Sequence, residues 1–150
     1  NPIDNFAERC EAEGMPRIMR NPHPFEFVDH GTEIAMISEL YDLVRTIRMD
    51  PTASPLDEPV SPLGYSTGRW DGKTLIVTTT HINWSYFDNI GTPQSEAVKM
   101  VERFAVSEDQ SRLDYQLTVT DPMTFSEPAV YERHWLALGE TIQRYDCQVY

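Results

Sequence analysis

Basic residues are scarce in this chain of 150 residues: Lys and Arg together number 12, against 24 Asp and Glu. The formal net charge at neutral pH is therefore −12. A field of that sign repels polyanions, which argues against nucleic acids and anionic membrane surfaces as partners. The excess of acidic side chains is typical of a well-solvated surface.

Long apolar runs are also missing. No stretch approaches the roughly 20 consecutive apolar residues of a membrane-spanning helix, so we expect no membrane insertion. No charged segment followed by an apolar run opens the sequence, as expected of an exported chain whose leader has been removed. The hydrophobic fraction of 40% suits a small barrel with much surface per residue, and the length predicts one domain, residues 1–150.

Cysteine occurs only twice, as Cys10 and Cys147. Zinc sites need closely spaced Cys or His residues, and the four histidines are scattered, so no metal and no other cofactor is expected. The termini of compact domains often lie close together, which makes a disulfide between the two cysteines geometrically reasonable. The alternative is two unrelated buried thiols. A disulfide implies an oxidising location, so the sequence predicts a secreted or periplasmic protein.

Short β-rich segments separated by turns are what the sequence has in quantity, and no convincing long helix accompanies them. An antiparallel meander that closes on itself removes exposed strand edges. We therefore predict an all-β, lipocalin-like antiparallel barrel (residues 25–150) with an irregular N-terminal arm (1–24) packed on the outside. The prediction of about eight strands rests on nine strand-like segments, which are 25–29, 33–41, 44–49, 64–70, 73–83, 97–107, 112–120, 129–138 and 141–149.

Three connections carry distinct signals. The segment 50–62 contains four prolines, too many for a central strand, and is predicted to be a long external loop near one barrel mouth. Asp71-Gly72 predicts a tight hairpin turn, because both positions tolerate positive φ. Gly139-Glu140 predicts a further hairpin, before a last strand at 141–149.

The stretch from Gly64 to Phe104 carries a recognisable pattern. Its residues are Gly64, Ser66, Gly68, Trp70, Gly72, Thr74-Leu75-Ile76-Val77, Asn83, Phe87-Asp88, Gly91, Pro93-Gln94-Ser95-Glu96 and Glu102-Arg103-Phe104, with the later landmarks Asp121-Pro122 and Cys147. This pattern resembles that of a large family of exported bacterial proteins with no established activity, many of which have His where this chain has Gln94. The resemblance implies a small lipocalin-like barrel and export, and it names no reaction.

Two residues are candidates for acid/base catalysis inside the barrel. His81 lies in phase with the apolar residues of the segment 73–83, and histidine is the commonest general acid or base. Glu102 shares a face with Met100 and Phe104, where a carboxyl among apolar neighbours suits acid/base work. The alternatives are a structural hydrogen-bonding role for His81 and an internal salt bridge from Glu102 to an arginine.

The two arginines considered for that salt bridge are Arg133 and Arg48.

The sequence Gly64-Tyr65-Ser66-Thr67-Gly68 has the spacing of the Gly-x-Ser-x-Gly nucleophile elbow of serine hydrolases, but a strand and a hairpin follow it instead of a helix. A serine hydrolase is therefore disfavoured.

A second set of residues is predicted to contact a ligand. Aromatic rings with a carboxylate at a barrel mouth suit a flat organic molecule, and equally an ordinary packed loop. The predicted ligand-binding residues are Tyr65, Asn83, Trp84, Tyr86, Asp88 and His134.

From these features we expect a cofactor-independent acid/base enzyme of lyase, isomerase or dehydratase type. Its substrate is expected to be a small hydrophobic or aromatic molecule inside the barrel, with His81 and Glu102 as the catalytic groups. The alternatives are a non-catalytic small-molecule-binding protein of the cell envelope and a structural domain with a filled barrel. Paired titratable groups facing an open cavity indicate the enzyme, an open apolar cavity the carrier, and a packed interior the structural domain.

Overall fold

The computed structural model describes residues 6–149, so residues 1–5 of the predicted arm and residue 150 lie outside the described part of the chain. The all-β prediction is confirmed: eight strands form one sheet, curled into a half-barrel of lipocalin-like form. Three short 3-10 helices span Phe6–Arg9, Arg17–Met19 and Leu40–Asp42. The strands are β1 (Phe25–Asp29), β2 (Glu33–Ser38), β3 (Leu43–Arg48), β4 (Tyr65–Asp71), β5 (Thr74–Thr80), β6 (Lys99–Val106), β7 (Arg112–Thr120) and β8 (Ala129–Leu136).

Alternation along each strand separates an inner face from an outer face. In β7 the inner residues Tyr115, Leu117 and Val119 are buried, and the residues between them are more exposed. The inner faces of the sheet form one hydrophobic core. Each fully buried aliphatic side chain in that core contributes about 1.5–3 kcal/mol, so burial of the inner face stabilises the curl.

The strands follow one another in sequence order, and every neighbouring pair but one is antiparallel. The exception corrects the predicted uninterrupted antiparallel meander: β3 and β4 run parallel over two residue pairs, Ile47 with Ser66 and Arg48 with Thr67. The proline-rich segment between them returns along the sheet, so β4 starts at the same end as β3. Parallel neighbours require such a crossover.

The predicted last strand at 141–149 and the hairpin at Gly139-Glu140 are wrong. Residues 137–149 have no strand structure, and this C-terminal tail leaves the sheet after β8. The backbone N–H of Gln143 donates to Glu39 (3.1 Å) and that of Tyr145 to Asp42 (3.0 Å). A Cys10–Cys147 disulfide, confirmed here, holds the tail against the N-terminal arm and away from β8.

The sequence predicted that the N-terminal arm packs on the outside, and for residues 15–19 this prediction is wrong. Met15, Ile18 and Met19 are buried and belong to the main core. Because a half-barrel leaves its interior uncovered, these three apolar side chains fill space that a closed barrel would enclose with strands.

The tight connection between β4 and β5 is confirmed, with a shift of one residue. Asp71 pairs with Thr74, so Gly72 and Lys73 form the two-residue turn. Gly72 has φ +59°, and nothing lies within 4 Å of the position where a Cβ would stand. Glycine is therefore required at this position because of the positive φ, and not because a side chain would lack room.

Candidate functional site

A pair of opposite charges lies inside the half-barrel. The side chains of Arg45 on β3 and Glu102 on β6 are 2% and 0% exposed. Arg45 Nη1 donates to Glu102 Oε1 at 3.1 Å and Nη2 donates to Oε2 at 2.5 Å. This two-pronged geometry matches the planar guanidinium to the carboxylate and compensates both charges in the interior.

Three neutral side chains complete this internal network. The hydroxyl of Ser66 accepts from Arg45 Nε at 3.2 Å, and that of Thr79 accepts from Nη2 at 2.8 Å. The Tyr115 hydroxyl donates to Glu102 Oε1 at 2.8 Å. Burial, and then the neighbouring Glu102 carboxylate, raise the pKa of Tyr115 well above its ordinary value. Tyr115 is therefore a neutral donor throughout the physiological pH range.

The charge state of Arg45 follows from the same contacts. Burial alone would lower the pKa of its guanidinium, but the charge of Glu102 and their hydrogen bonds outweigh burial and raise it. Arg45 consequently remains charged at ordinary pH, and its guanidinium occupies both carboxylate oxygens of Glu102. With both oxygens engaged in this way, the pair is a structural contact.

The salt-bridge partners proposed from the sequence were wrong, although an internal salt bridge exists. Arg45 shares the inner face with Ile47, whereas Arg48 points outward and lies over the Tyr65 ring at 4.1 Å. Arg133 is on the inner side of β8, but its Nη1 donates to the Met19 carbonyl at 2.9 Å. Alternation places Arg45 on the inner face with Glu102 and Arg48 on the outer face, whereas Arg133 shares the inner side but is engaged by the N-terminal arm.

His81 is not brought together with Glu102. It follows the last residue of β5 and has φ +59°, which breaks the two-residue alternation that placed it on the inner face. Its ring Nδ1 is 3.0 Å from the hydroxyl of Thr80. Thr80 pairs with Tyr65 in the β4–β5 register, on the face opposite to Ser66 and Thr79. The structure therefore groups His81 with the outer residues Thr80 and Tyr65.

Tyr65 is buried on this outer face, beneath the Arg48 guanidinium. Next to it, the loop before β4 is fixed by the backbone of Ser61, whose N–H donates to the His81 carbonyl at 3.0 Å. The Asn83 backbone N–H donates to the Ser61 carbonyl at 2.8 Å, while its side chain is exposed. Asn83 thus binds the loop before β4 through its backbone N–H and not through its side chain.

Trp84 connects the loop after β5 to the N-terminal arm. Its ring lies 4.8 Å from that of Phe6, and a Cβ on Gly14 would stand 2.6 Å from its ring. The side-chain amide of Gln94 donates to the carbonyls of Met15 and Trp84, at 3.0 Å each. Trp84 is therefore a packing residue between the arm and the loop.

Asp88 organises its own loop. Its Oδ1 accepts from the N–H groups of Ile90 (3.0 Å) and Thr92 (2.9 Å), and Thr92 Oγ1 donates to Oδ2 at 2.5 Å. Burial alone would raise the pKa of Asp88, but these hydrogen bonds outweigh it and lower the pKa. Half-buried Tyr86 forms a β-bridge with Pro93 in the same loop. The hydrogen bonds of Asp88 and the β-bridge of Tyr86 are thus made within the loop that carries both residues.

His134 is exposed on the outer face of β8, directly opposite Asp114 of β7. Glu132, which shares that face, accepts a hydrogen bond from Gln116 Nε2 at 2.8 Å. Glu102 lies on the other side of the sheet, so His134 and Glu102 do not share a site.

An apolar cleft of about 450 Å³ opens between β1 and the C-terminal strands. We call it the seam cleft, because β1 and β8 end the strand order and no ladder joins them within residues 6–149. The rings of Phe25 and Trp135 meet across it with their centroids 4.8 Å apart, edge to face. The residues lining the seam cleft include Phe25, Phe27, Leu113, Trp135, Leu136 and Leu138.

The outer rim of the seam cleft remains apolar and solvent-exposed. Val106, Leu136 and Leu138 are 60%, 72% and 57% exposed, which places them among the most exposed large hydrophobic residues of the described chain. Sequence reasoning missed this site. The available signal was the Phe25–Phe27 alternation and the position of Trp135 in phase with Arg133, both on strands at the ends of the meander.

The described residues contain no group of three or more His, Cys, Asp or Glu residues arranged to hold a metal ion. Among the same residues, no helix is long and apolar enough to cross a membrane. Comparison with protein families, with curated proteins and with solved structures gives no match for this chain.

Proposed function

We propose that this protein binds a small hydrophobic or aromatic molecule in the seam cleft, as a non-catalytic, lipocalin-like binding protein. The observation that carries the proposal is the edge-to-face pair of Phe25 and Trp135 at 4.8 Å, in a cleft whose rim residues stay exposed. Exposed apolar side chains around a concave aromatic surface are a typical feature of ligand grooves.

The size and lining of the seam cleft define the class of ligand. A volume of about 450 Å³ lies within the roughly 300–1,000 Å³ of small-molecule sites. The Phe25 and Trp135 rings favour a flat aromatic ligand, because ring quadrupoles stabilise edge-to-face and offset contacts. Polar side chains at the margin, those of His23, Gln110 and Arg112, are positioned to orient a single polar substituent.

Binding is better supported than acid/base catalysis, which stays a prediction. Glu102 is bonded to Arg45 and Tyr115 in the interior, and His81 is bonded to Thr80 at the end of β5. Neither group faces the seam cleft. A general acid or base must come within hydrogen-bond reach of the substrate proton it moves, and the seam cleft offers neither His81 nor Glu102 for that purpose.

The proposed location is the periplasm or the extracellular space. The Cys10–Cys147 disulfide indicates an oxidising compartment. The resemblance of residues 64–104 to exported bacterial proteins supports the finer assignment.

Titration with 1-aminoanthracene, an uncharged flat fluorophore, tests the proposal. We expect saturable binding by the wild type and at least a tenfold weakening in Leu136→Glu, which places a charge on the exposed rim. Val130→Glu is the matched control, because Val130 is also an exposed residue of β8 but lies outside the seam cleft. Absence of saturable binding, or equal weakening in both variants, would contradict the proposal.

A further inference from the structure

Strand β8 has one edge with which no other part of the described chain pairs. β7 forms a ladder along the opposite edge, from Ala129 to Leu136, and β8 is the last strand of the sheet. Within residues 6–149, the backbone of this strand makes no other hydrogen bond to backbone. Alternate residues of a strand direct their N–H and C=O groups to alternate sides. The unpaired side of β8, which we call the free edge, therefore presents a row of polar groups without backbone partners in the described chain.

The length and composition of β8 make its free edge suitable for pairing with another chain. Monomeric proteins protect edge strands by keeping them short or by placing proline and lysine on them. β8 is eight residues long and has neither of these residues. β1, at the other end of the sheet, is five residues long and follows Pro22 and Pro24. Of the two edge strands, β8 is thus the less protected.

The outer face of β8 is complementary to itself when the strand is reversed. Its four exposed side chains run in order from apolar to acidic to imidazole to apolar: Val130, Glu132, His134 and Leu136. When two copies of β8 pair antiparallel about a twofold axis at Arg133, Glu132 of each copy lies opposite His134 of the other. Val130 then lies opposite Leu136, and residues directly opposite each other on one face are in contact.

We propose that two copies of this chain pair through their free edges, antiparallel and in this register, and so form a twofold dimer with one continuous sheet. Twofold symmetry makes every contact occur twice. The imidazole of His134 carries an N–H donor in either protonation state, so it can donate to the Glu132 carboxylate. Val130 and Leu136, which are 60% and 72% exposed in the single chain, cover each other.

Other antiparallel registers lack this complementarity. A shift of one residue exchanges the two faces of a strand, so only shifts of two residues keep the outer side chains on the outer face. A shift of two residues in one direction sets Glu132 opposite itself and Val130 opposite His134. The same shift in the other direction sets His134 opposite itself and Glu132 opposite Leu136. Larger shifts shorten the ladder, so the proposed register is the one that the side chains favour.

The inner face adds one favourable and one unfavourable contact. Tyr131 lies opposite Trp135 of the second copy, which is an aromatic cross-strand pair. Arg133 lies opposite its own copy at the axis, where like charges repel. Its Nη1 donates to the Met19 carbonyl at 2.9 Å and its guanidinium lies over the Trp135 ring at 4.8 Å, and these contacts direct the charge away from the axis. Because an interface of one edge strand is small, we expect a weak, reversible dimer.

Dimerisation is separate from the proposed ligand binding and goes beyond it. Of the outer residues of β8, only Leu136 lines the seam cleft. Variants at Glu132 and His134 therefore test the dimer without altering the cleft, and titration of the same variants with 1-aminoanthracene shows whether the ligand site is intact. Val130→Glu should likewise weaken the dimer and leave ligand binding unchanged. Loss of one property with retention of the other is thus observable.

Sedimentation equilibrium over a range of protein concentrations tests the inference. We expect the wild type to show a reversible monomer–dimer equilibrium. Glu132→Lys sets a lysine opposite His134, and His134→Glu sets two carboxylates opposite each other, so each variant alone should raise the dimer dissociation constant at least tenfold. A mixture of the two variants should form a heterodimer with the affinity of the wild type. In that heterodimer the introduced lysine faces the introduced glutamate, and His134 of one copy faces Glu132 of the other.

Glu58→Lys is the matched control, because it makes the same change of charge at an exposed position of the segment 50–62, away from β8. It should dimerise like the wild type, and circular dichroism checks that all variants fold. A wild type that stays monomeric at every concentration overturns the inference. Dimers that neither single variant weakens, or a mixture that associates no better than the single variants, overturn the proposed interface.

Discussion

Phe25 and Trp135, on the first and last strands of the sheet, meet edge to face with their ring centroids 4.8 Å apart. The strands that carry them share no ladder within the described residues, so at this place the half-barrel is joined by side chains. Further ring contacts continue inward, from Phe27 to Phe104 and from Tyr115 to Trp135. A sheet that stops short of closure thus leaves an aromatic opening at its seam, and the proposed binding site is that opening.

The first prediction concerns the aromatic wall of the seam cleft. Trp135→Leu should weaken 1-aminoanthracene binding at least tenfold, or about 1.4 kcal/mol, because a branched aliphatic side chain offers no flat face to the ligand. Fluorescence titration measures the effect. Trp70→Leu is the control, since Trp70 is 56% exposed on β4 and far from the seam in strand order. Equal losses in the two variants would show that the cleft is not the binding site.

The fold could be predicted in large part from the sequence because its signals are local. Alternation of apolar residues located all eight strands, and Asp71-Gly72 marked the β4–β5 turn to within one residue. The errors lie where a distant contact overrides the local pattern. Residues 141–149 alternate like a strand, yet the disulfide from Cys147 to Cys10 and the carboxylates of Glu39 and Asp42 hold them away from β8.

The site was harder to predict because its members come from distant strands. Alternation alone placed Glu102 on the inner face, but its partner Arg45 lies 57 positions earlier. Alternation sets Arg45 and Arg48 on opposite faces of β3, yet it does not show which of the two reaches Glu102. His81 was misplaced because one residue with positive φ ends the alternation. The seam cleft depends on β1 and β8 approaching each other, which no short segment of sequence encodes.

The second prediction concerns the disulfide. Replacing both cysteines by serine should lower the melting temperature, because the bridge spans 137 residues and in the simple loop model removes roughly 5 kcal/mol of chain entropy from the unfolded state. Calorimetry of the wild type with and without a reductant gives an independent measurement. The described chain has no free cysteine, so a reductant acts only on this bridge. A melting temperature unaffected by both treatments would contradict the prediction.

The third prediction concerns pH and the turn between β6 and β7. Hydrogen bonds from the side chain of Ser107, then from the side chain and backbone of Ser111, lower the pKa of Asp109 to about 2. Because this pKa lies below the value of about 3.9 in unfolded chains, the charged form stabilises the fold above pH 4. That contribution is lost as the pH falls from about 4 to about 2.

Asp109→Asn should therefore reduce the melting temperature at pH 7 and have little effect near pH 2. Carboxyl NMR of the wild type measures the pKa directly. Glu108→Gln is the control: it removes the neighbouring carboxylate and leaves these hydrogen bonds intact. A destabilisation of Asp109→Asn that is the same at both pH values would show that the carboxylate charge plays no part in this turn.

The last prediction concerns the Arg45–Glu102 pair and decides between its structural and catalytic interpretations. Glu102→Gln leaves the buried Arg45 guanidinium without a compensating charge and should cost about 3–5 kcal/mol of unfolding free energy. Replacing the charged pair and its tyrosine together, as Arg45→Met, Glu102→Leu and Tyr115→Phe, removes every group that Glu102 satisfied. The hydroxyls of Ser66 and Thr79 still bond to each other at 2.9 Å, so the triple variant should regain most of the lost stability.

Urea unfolding measures the stability of both variants. Binding of 1-aminoanthracene should persist in the triple variant, because none of the three side chains lines the seam cleft. Glu102→Gln protein with wild-type stability but no ligand binding or turnover would overturn the structural interpretation and favour an acid/base role for this carboxylate.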